Sequence, residues 1–191
     1  NTAPCIAYAN HAIAKRDPKA LIITSPSDHL VKDEKEFQAR LRIASEQAVV
    51  EDCLVTLGIT PDRPDTGYGY IQFSDQGPAE RPEVKRVKNF TEKPDHAKAQ
   101  QFLDSGEYLW NSGIFIWSLA SIRKAFSKHL PEMEVLFSTG ENAYGTPNEA
   151  EFIAKIYGTC ESISIDYGIL EKADNVYVVA GDFGWSDLGT W

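Results

Sequence analysis

Cysteine is scarce in this chain: Cys5, Cys53 and Cys160 are odd in number, far apart and outside any CxxC-type spacing. That argues against a thiolate zinc site and against a disulfide framework, and it suits a reducing cytoplasm, where the protein is expected. Positive charge is short as well, with Lys+Arg 19 against Asp+Glu 28 and a formal net charge of −9. A surface that coats nucleic acid needs Lys/Arg patches, so no nucleic-acid partner is expected; a nucleotide site needs only a few local cations and backbone donors. No apolar run approaches the roughly 20 residues of a membrane span. No signal-peptide pattern opens the sequence, so no membrane partner is expected. The 4 His residues form no metal-ligand spacing, and no Ser or Cys lies in a nucleophile elbow, which leaves covalent nucleophilic catalysis without support. Internal repeats and low-complexity linkers are missing too. With 42% hydrophobic and 25% charged residues, the composition is that of one ordinary globular domain over residues 1–191, large enough for a sizeable core.

The apolar pattern gives helices and strands in alternation. Thr2 can cap a helix with Pro4 in its first turn, carrying Ile6, Ala9, Ile13 and Ala14 near one face until Asp17-Pro18 stops it. Leu21-Ile22-Ile23 reads as a strand covered on both faces, ended by Pro26. Asp33-Glu34-Lys35-Glu36 is an acidic helix start, followed by Phe37, Leu41, Ala44 and Ala48 at helical spacing. Cys53 to Ile59 is a second near-continuous apolar strand. A helix between two such strands is a βαβ unit, so a parallel sheet is expected here. Further strands are expected from Tyr68 to Phe73, Pro82 to Phe90, Leu109 to Leu119 and Val176 to Ala180. Helices are expected after Pro94-Asp95, over much of Ala120 to Ile156, and from Tyr167 to Lys172.

Several polar residues sit where chemistry could be done. Asp28 falls just past the carboxyl end of the Leu21–Ile23 strand, where open α/β sheets place their ligands. It reads either as a cap for the next helix or as an oxygen ligand for Mg²⁺, a hard cation usually shared with substrate phosphates. Asp187, in Gly184-Trp185-Ser186-Asp187-Leu188-Gly189, makes a second acidic corner, with a plain surface turn as the alternative. Glu92 and Lys93 follow a strand end; together they could accept from sugar hydroxyls and neutralise a phosphate, or be an exposed pair before a helix. Asn111 lies in an apolar strand, where an unpaired amide costs roughly 1–3 kcal/mol, so it is satisfied by the core or by a ligand. Asp166 reads most simply as an N-cap. Gly67 and Gly69 around Tyr68 suggest a loop-to-strand junction whose backbone could bond a substrate, or simple turn chemistry.

Asn1-Thr2-Ala3-Pro4, Pro26-Ser27-Asp28-His29, Thr66-Gly67-Tyr68-Gly69-Tyr70-Ile71, Phe90-Thr91-Glu92-Lys93-Pro94, Trp110-Asn111-Ser112-Gly113-Ile114-Phe115 and Trp185-Ser186-Asp187-Leu188-Gly189 occur in this order. The series resembles the bacterial-type mannose-1-phosphate guanylyltransferases, within the sugar-1-phosphate nucleotidyltransferases, from the first residue to the last. The resemblance implies a Rossmann-like α/β fold: a mixed, mainly parallel sheet with helices on both faces, truncated at its N-terminus. It implies transfer of GMP from GTP to mannose 1-phosphate, giving GDP-mannose and pyrophosphate. By the same resemblance Asp28 and Asp187 hold Mg²⁺, Lys93 neutralises the sugar phosphate, and Glu92, Asn111 and the Gly69 backbone hold the hexose. Asn1 and Thr2 fall near the guanine, and Asp166 joins the substrate-binding residues. The nucleophile is a phosphate oxygen already ionised near neutral pH, so catalysis reduces to positioning and charge neutralisation.

The family's glycine-rich nucleotide loop is absent, because the chain starts downstream of it, and both ends look cut. The 191 residues are therefore expected to be a piece of a longer protein and to show no turnover alone. The chain also stops before the sugar-isomerase domain that some relatives append. Two alternatives stand beside the main reading: a non-catalytic sugar-phosphate-binding module of the same fold, and a transferase for another nucleotide or hexose 1-phosphate. Asn1-Thr2-Ala3-Pro4 argues against the second. A homo-oligomer is left open.

Overall fold

The computed structural model describes residues 1–188. The chain opens with helix α1 (Thr2–Ala14), strand β1 (Leu21–Thr24) and the short strand β2 (His29–Leu30). Helix α2 (Glu34–Val50) leads to β3 (Leu54–Ile59), β4 (Tyr70–Ser74) and β5 (Val84–Thr91). Helix α3 (His96–Ser105) precedes the long β6 (Tyr108–Ser118), which runs into α4 (Leu119–His129), α5 (Pro131–Ser138) and α6 (Glu149–Tyr157). A π-helical turn at Asp166–Leu170, then β7 (Val176–Gly181) and β8 (Ser186–Asp187), complete the described chain. None of the described helices is long and apolar enough to cross a membrane.

Two compact units emerge. The helical unit is Asn1–Ile22 with Ser118–Asp174; the sheet unit is Ile23–Trp117 with the chain from Asn175 onward. In the helical unit α1, α4 and α5 pack on one another, burying Ile6, Ala7, Ile122, Phe126 and Phe137. Pro131 starts α5 where its missing N–H costs nothing. Glu134 is buried at this junction and is tolerated there because it is paired. Its Oε1 accepts from Arg123 Nε and Nη2 at 3.1 and 3.0 Å, and its Oε2 accepts from His11 Nε2 at 3.3 Å. Burial pushes the Glu134 carboxyl up, but the His11 and Arg123 partners outweigh it and hold the group below its ordinary value.

In the sheet unit six strands run in the order β1-β6-β3-β7-β5-β4, and β6 also pairs with β4. The pairings from β6 through β3, β7, β5 and β4 therefore return to β6 as a closed circuit. Helix α2 lies against β3, β7 and β5. Asp33 starts it, its Oδ1 accepting from the Lys35 and Glu36 amides at 3.1 and 3.0 Å. The small faces of Ala44 and Ala48 then reach a core that includes Val55, Leu57 and Val179. β2 and β8 form a separate two-stranded antiparallel ladder.

The sheet is mixed, as expected, but the parallel share is smaller than the apolar runs suggest. β3 pairs with β7 in parallel; β3–β6, β5–β7, β4–β5 and β4–β6 are antiparallel. A strand buried on both faces reads the same in either arrangement, and β6 is inserted between β1 and β3. Three caps also differ from the pattern. Asn1, not Thr2, caps α1, its Oδ1 accepting from the Thr2 amide at 2.9 Å. Asp33, not Asp28, caps α2. Asp166 is the first residue of the π turn, and Ser164 Oγ accepts from the Tyr167 amide in the role assigned to it.

Candidate active site

The sheet unit gathers most of the candidate residues. β4, β5 and β6 meet where Tyr70 pairs with both Thr91 and Trp110. That junction places Gly69, Glu92 and Asn111, each one residue beyond a pairing position, beside one another. The Asn111 amide donates to the Gly69 carbonyl at 2.8 Å. A Cβ added at Gly69 would run into Glu92 Oε2 and lie 3.4 Å from Asn111 Cβ. Glycine at 69 thus lets two polar side chains close over its α-carbon.

Asn111 sits in an irregular stretch of β6 that its own side chains stitch together. The register against β3 shifts between Thr56 and Gly58, and Gly113 takes φ +70°, open to glycine at little cost. Asn111 Oδ1 accepts from the Gly113 amide at 3.2 Å and lies 3.3 Å from Thr56 Oγ1. Ser112 Oγ donates to the Leu57 carbonyl at 2.7 Å and accepts from the Ile114 amide at 3.2 Å. These bonds fix the direction of the Asn111 amide.

Lys93 carries the one positive φ of the described non-glycine residues, 45°. It also precedes Pro94, a position biased toward extended backbone. Such a conformation costs of order 1–3 kcal/mol and persists where its surroundings demand it. Its Nζ lies 3.7 Å from Glu92 Oε1, with the Lys93 side chain 64% exposed and that of Glu92 22% exposed. A solvent-facing cation and a half-buried carboxylate thus stand side by side at the edge of this junction.

The two acidic corners come together as well. His29 pairs with Asp187 and Leu30 with Ser186, so Asp28 is one residue from the cross-strand partner of Asp187. The loop before β2 leans on the Asn111–Gly113 stretch: a Cβ at Gly113 would lie 3.4 Å from Pro26 Cγ and 4.0 Å from His29 Cε1. Carboxylate oxygens are the donors that Mg²⁺ prefers, and one or two of them with substrate phosphates are its usual protein share. No group of three or more His, Cys, Asp or Glu suited to a metal occurs among the described residues. At this corner Asp28 and Asp187 are the carboxylates of the kind that could contribute such a share. Gly189, the glycine after this corner, lies outside the described residues.

Asn1, Thr2 and Asp166 belong to the helical unit. Thr2 Oγ1 accepts from the Ile165 amide at 2.8 Å, and the Ala3 amide donates to the Ile163 carbonyl at 3.2 Å. The first turn of α1 and the segment leading into Asp166 are thus tied together, with Asn1 exposed at the end.

Residues outside the expected set also line the sheet-unit site. Trp185 Nε1 donates to His29 Nδ1 at 3.0 Å. Tyr68 meets Trp185 and Trp110 edge-on, with ring centroids 5.2 and 5.0 Å apart. Arg63 lies over the Trp110 ring at 4.9 Å and is held by Asp65, which accepts from Arg63 Nη2 at 2.9 Å and from the Gly67 amide at 2.8 Å. The sequence offered a faint signal in the aromatics beside Gly67, Asn111 and Asp187, and none that singled out Arg63.

Comparison with known proteins gives the family and the fold. The family model for nucleotidyl transferase matches residues 1–191. A mannose-1-phosphate guanylyltransferase from Sinorhizobium fredii is 40% identical over 195 aligned positions, covering 100% of this chain and 37% of that protein. The alginate biosynthesis protein AlgA of Pseudomonas aeruginosa is 35% identical, covering 100% of the chain and 40% of its own length. Of solved structures, the mannose-1-phosphate geranyltransferase from Thermus thermophilus superposes with a TM-score of 0.86 at 33% identity, over 100% of this chain and 53% of that one. A mannose-6-phosphate isomerase from Helicobacter pylori gives 0.82 at 30% identity, over 98% and 71%. The chain thus spans about two fifths of the curated relatives it matches.

Proposed function

The chain belongs to the nucleotidyl transferase family, and from that premise we propose that the protein carrying it transfers GMP from GTP to mannose 1-phosphate, forming GDP-mannose and pyrophosphate. The observation that carries this reading is the convergence of Gly69, Glu92 and Asn111 on one point, with the strained Lys93 beside it. A hexose offers hydroxyls to a carboxylate, an amide and a backbone carbonyl; its phosphate calls for the adjacent cation. Relatives named for mannose 1-phosphate match over the whole chain and support that choice of acceptor.

In the proposed reaction a phosphate oxygen of mannose 1-phosphate attacks the α-phosphorus of GTP. The bond to the β-phosphate oxygen breaks, and pyrophosphate leaves with the electron pair. The attacking oxygen is already ionised, so no side chain need remove a proton. The chain's work is to hold two anions close together. Lys93 neutralises the acceptor phosphate, while Glu92, Asn111 and Gly69 orient the hexose. Asp28 and Asp187 would hold Mg²⁺, which when bound lowers the repulsion between the phosphates. Asn1, Thr2 and Asp166, tied together through Ile165, are assigned to the nucleotide. The three free thiols suit a reducing compartment, and the cytoplasm is the location that goes with this reading.

The test is pyrophosphate release by the whole protein against a panel of nucleoside triphosphates and hexose 1-phosphates. GTP with mannose 1-phosphate should lead in kcat/KM. A preference for UTP or dTTP with glucose 1-phosphate would refute the assignment.

A further inference from the structure

The β2–β8 ladder covers only His29–Leu30 and Ser186–Asp187. Two-stranded pairs are marginal in water even when longer, yet this one sets Asp28 and Asp187 at neighbouring positions. Backbone bonds from the Lys32 and Asp33 amides to the Phe183 carbonyl, at 3.1 and 3.0 Å, tie the two segments at the end away from the carboxylates. A side-chain bond also joins them diagonally across the ladder, Trp185 Nε1–H to His29 Nδ1 at 3.0 Å. Its two residues adjoin the acidic pair on the ladder side: His29 follows Asp28, and Trp185 stands two places before Asp187.

The chemistry of that bond is one-directional. An indole nitrogen only donates, so His29 Nδ1 is the acceptor and the imidazole proton sits on Nε2. The rings meet at 85° with centroids 5.2 Å apart. Behind Trp185, Tyr68 packs edge-on and passes the contact to Trp110. Tyr68 and Trp110 are buried members of the sheet-unit core. The bond is therefore anchored to rigid structure on one side and to the acidic corner on the other.

We propose that the Trp185–His29 hydrogen bond is a positioning latch that holds Asp28 and Asp187 side by side, a role that rests on the cation reading above. Neither residue is assigned a contact with the reacting atoms. The latch acts by keeping the short ladder paired and so keeping the two carboxylates pre-organised.

Two measurements on the whole protein test it: hydrogen exchange of the ladder amides and affinity for Mn²⁺ as a spectroscopic probe of the cation site. Trp185→Phe removes the donor and keeps a ring against Tyr68. Loss of one hydrogen bond should speed ladder exchange and weaken Mn²⁺ by roughly two- to tenfold each. His29→Gln, whose side-chain oxygen can accept from the indole, should retain more of both than His29→Leu. Unchanged ladder exchange in Trp185→Phe overturns the latch, whatever the cation does. Unchanged Mn²⁺ affinity in Trp185→Phe also overturns it if Asp28→Asn and Asp187→Asn abolish binding. If those two Asp variants bind Mn²⁺ as the wild type does, the cation reading fails; ladder exchange alone then decides for or against the latch.

Discussion

Gly69→Ala separates the site from the fold that carries it. The added methyl would collide with Glu92 Oε2 and come within 3.4 Å of Asn111 Cβ. The collision is with the far end of a flexible side chain, so the carboxylate can swing away and the strands need not move. Overpacking with that relief sits at the low end of its range, about 1 kcal/mol. The cost to the acceptor site is larger. A carboxylate turned out of place forfeits its bond to a hexose hydroxyl, and hydrogen bonds to charged groups are worth about 1.5–3 kcal/mol. At about 1.36 kcal/mol per factor of ten, mannose 1-phosphate binding should weaken roughly ten- to a hundredfold. Calorimetric titration with mannose 1-phosphate gives the affinity, and chemical denaturation gives the stability. Gly106→Ala is the control: at φ +68° with nothing within 4 Å, it should cost about 1 kcal/mol of stability and leave binding alone. Wild-type affinity in Gly69→Ala would refute the placement of the hexose against Glu92.

Other perturbations address the remaining parts. Lys93→Ala should lower kcat/KM for mannose 1-phosphate by about ten- to a hundredfold, mainly through KM, with GTP binding nearly unchanged; an equal loss for GTP would show that donor and acceptor halves are wrongly divided. Lys93→Gly should lose the same activity yet exceed Lys93→Ala in stability by about 1 kcal/mol, since only glycine takes φ 45° freely; equal melting curves would deny the strain. Asp28→Asn removes a proposed direct ligand, and because even outer partners are worth roughly 10- to 100-fold, the Mg²⁺ needed for half-maximal turnover should rise at least about a hundredfold. In the helical unit, the Glu134 carboxyl is held below its ordinary value of 4.5. Its stabilisation is therefore complete above that value and lost as pH falls through the lower folded value, so Glu134→Gln should flatten the acid limb of stability against pH. Parallel limbs for the two proteins would show that the His11 and Arg123 partners do not stabilise the charge.

What the sequence determined by itself was local. The uninterrupted run of β3 could only be a covered strand, and each residue of Leu54–Ile59 is buried. Acidic residues before a 3.6-residue stripe marked the start of α2, while its cap, Asp33, came from the structure. The same signals misplaced three caps, because Asp, Thr and Ser near a helix start compete for one role and the winner depends on the entry angle of the chain. Strand direction was not legible either: burial on both faces is the only mark such a run carries, and β6 turned antiparallel against β3.

The candidate site was legible as a list of residues and not as a place. Asp28 and Asp187, or Gly69, Glu92 and Asn111, could be listed from motifs, but nothing in the chain's order measures the distance between them. The β2–β8 ladder is two residues on each strand, too short for any alternation to register. Lys93's left-handed backbone leaves no trace in a residue type that rarely adopts it. Both arise because tertiary packing overrules local preference once enough of the surrounding core is in place. The sequence decided which side chains could do the chemistry; the meeting of β4, β5 and β6, and of β2 with β8, decided where they stand.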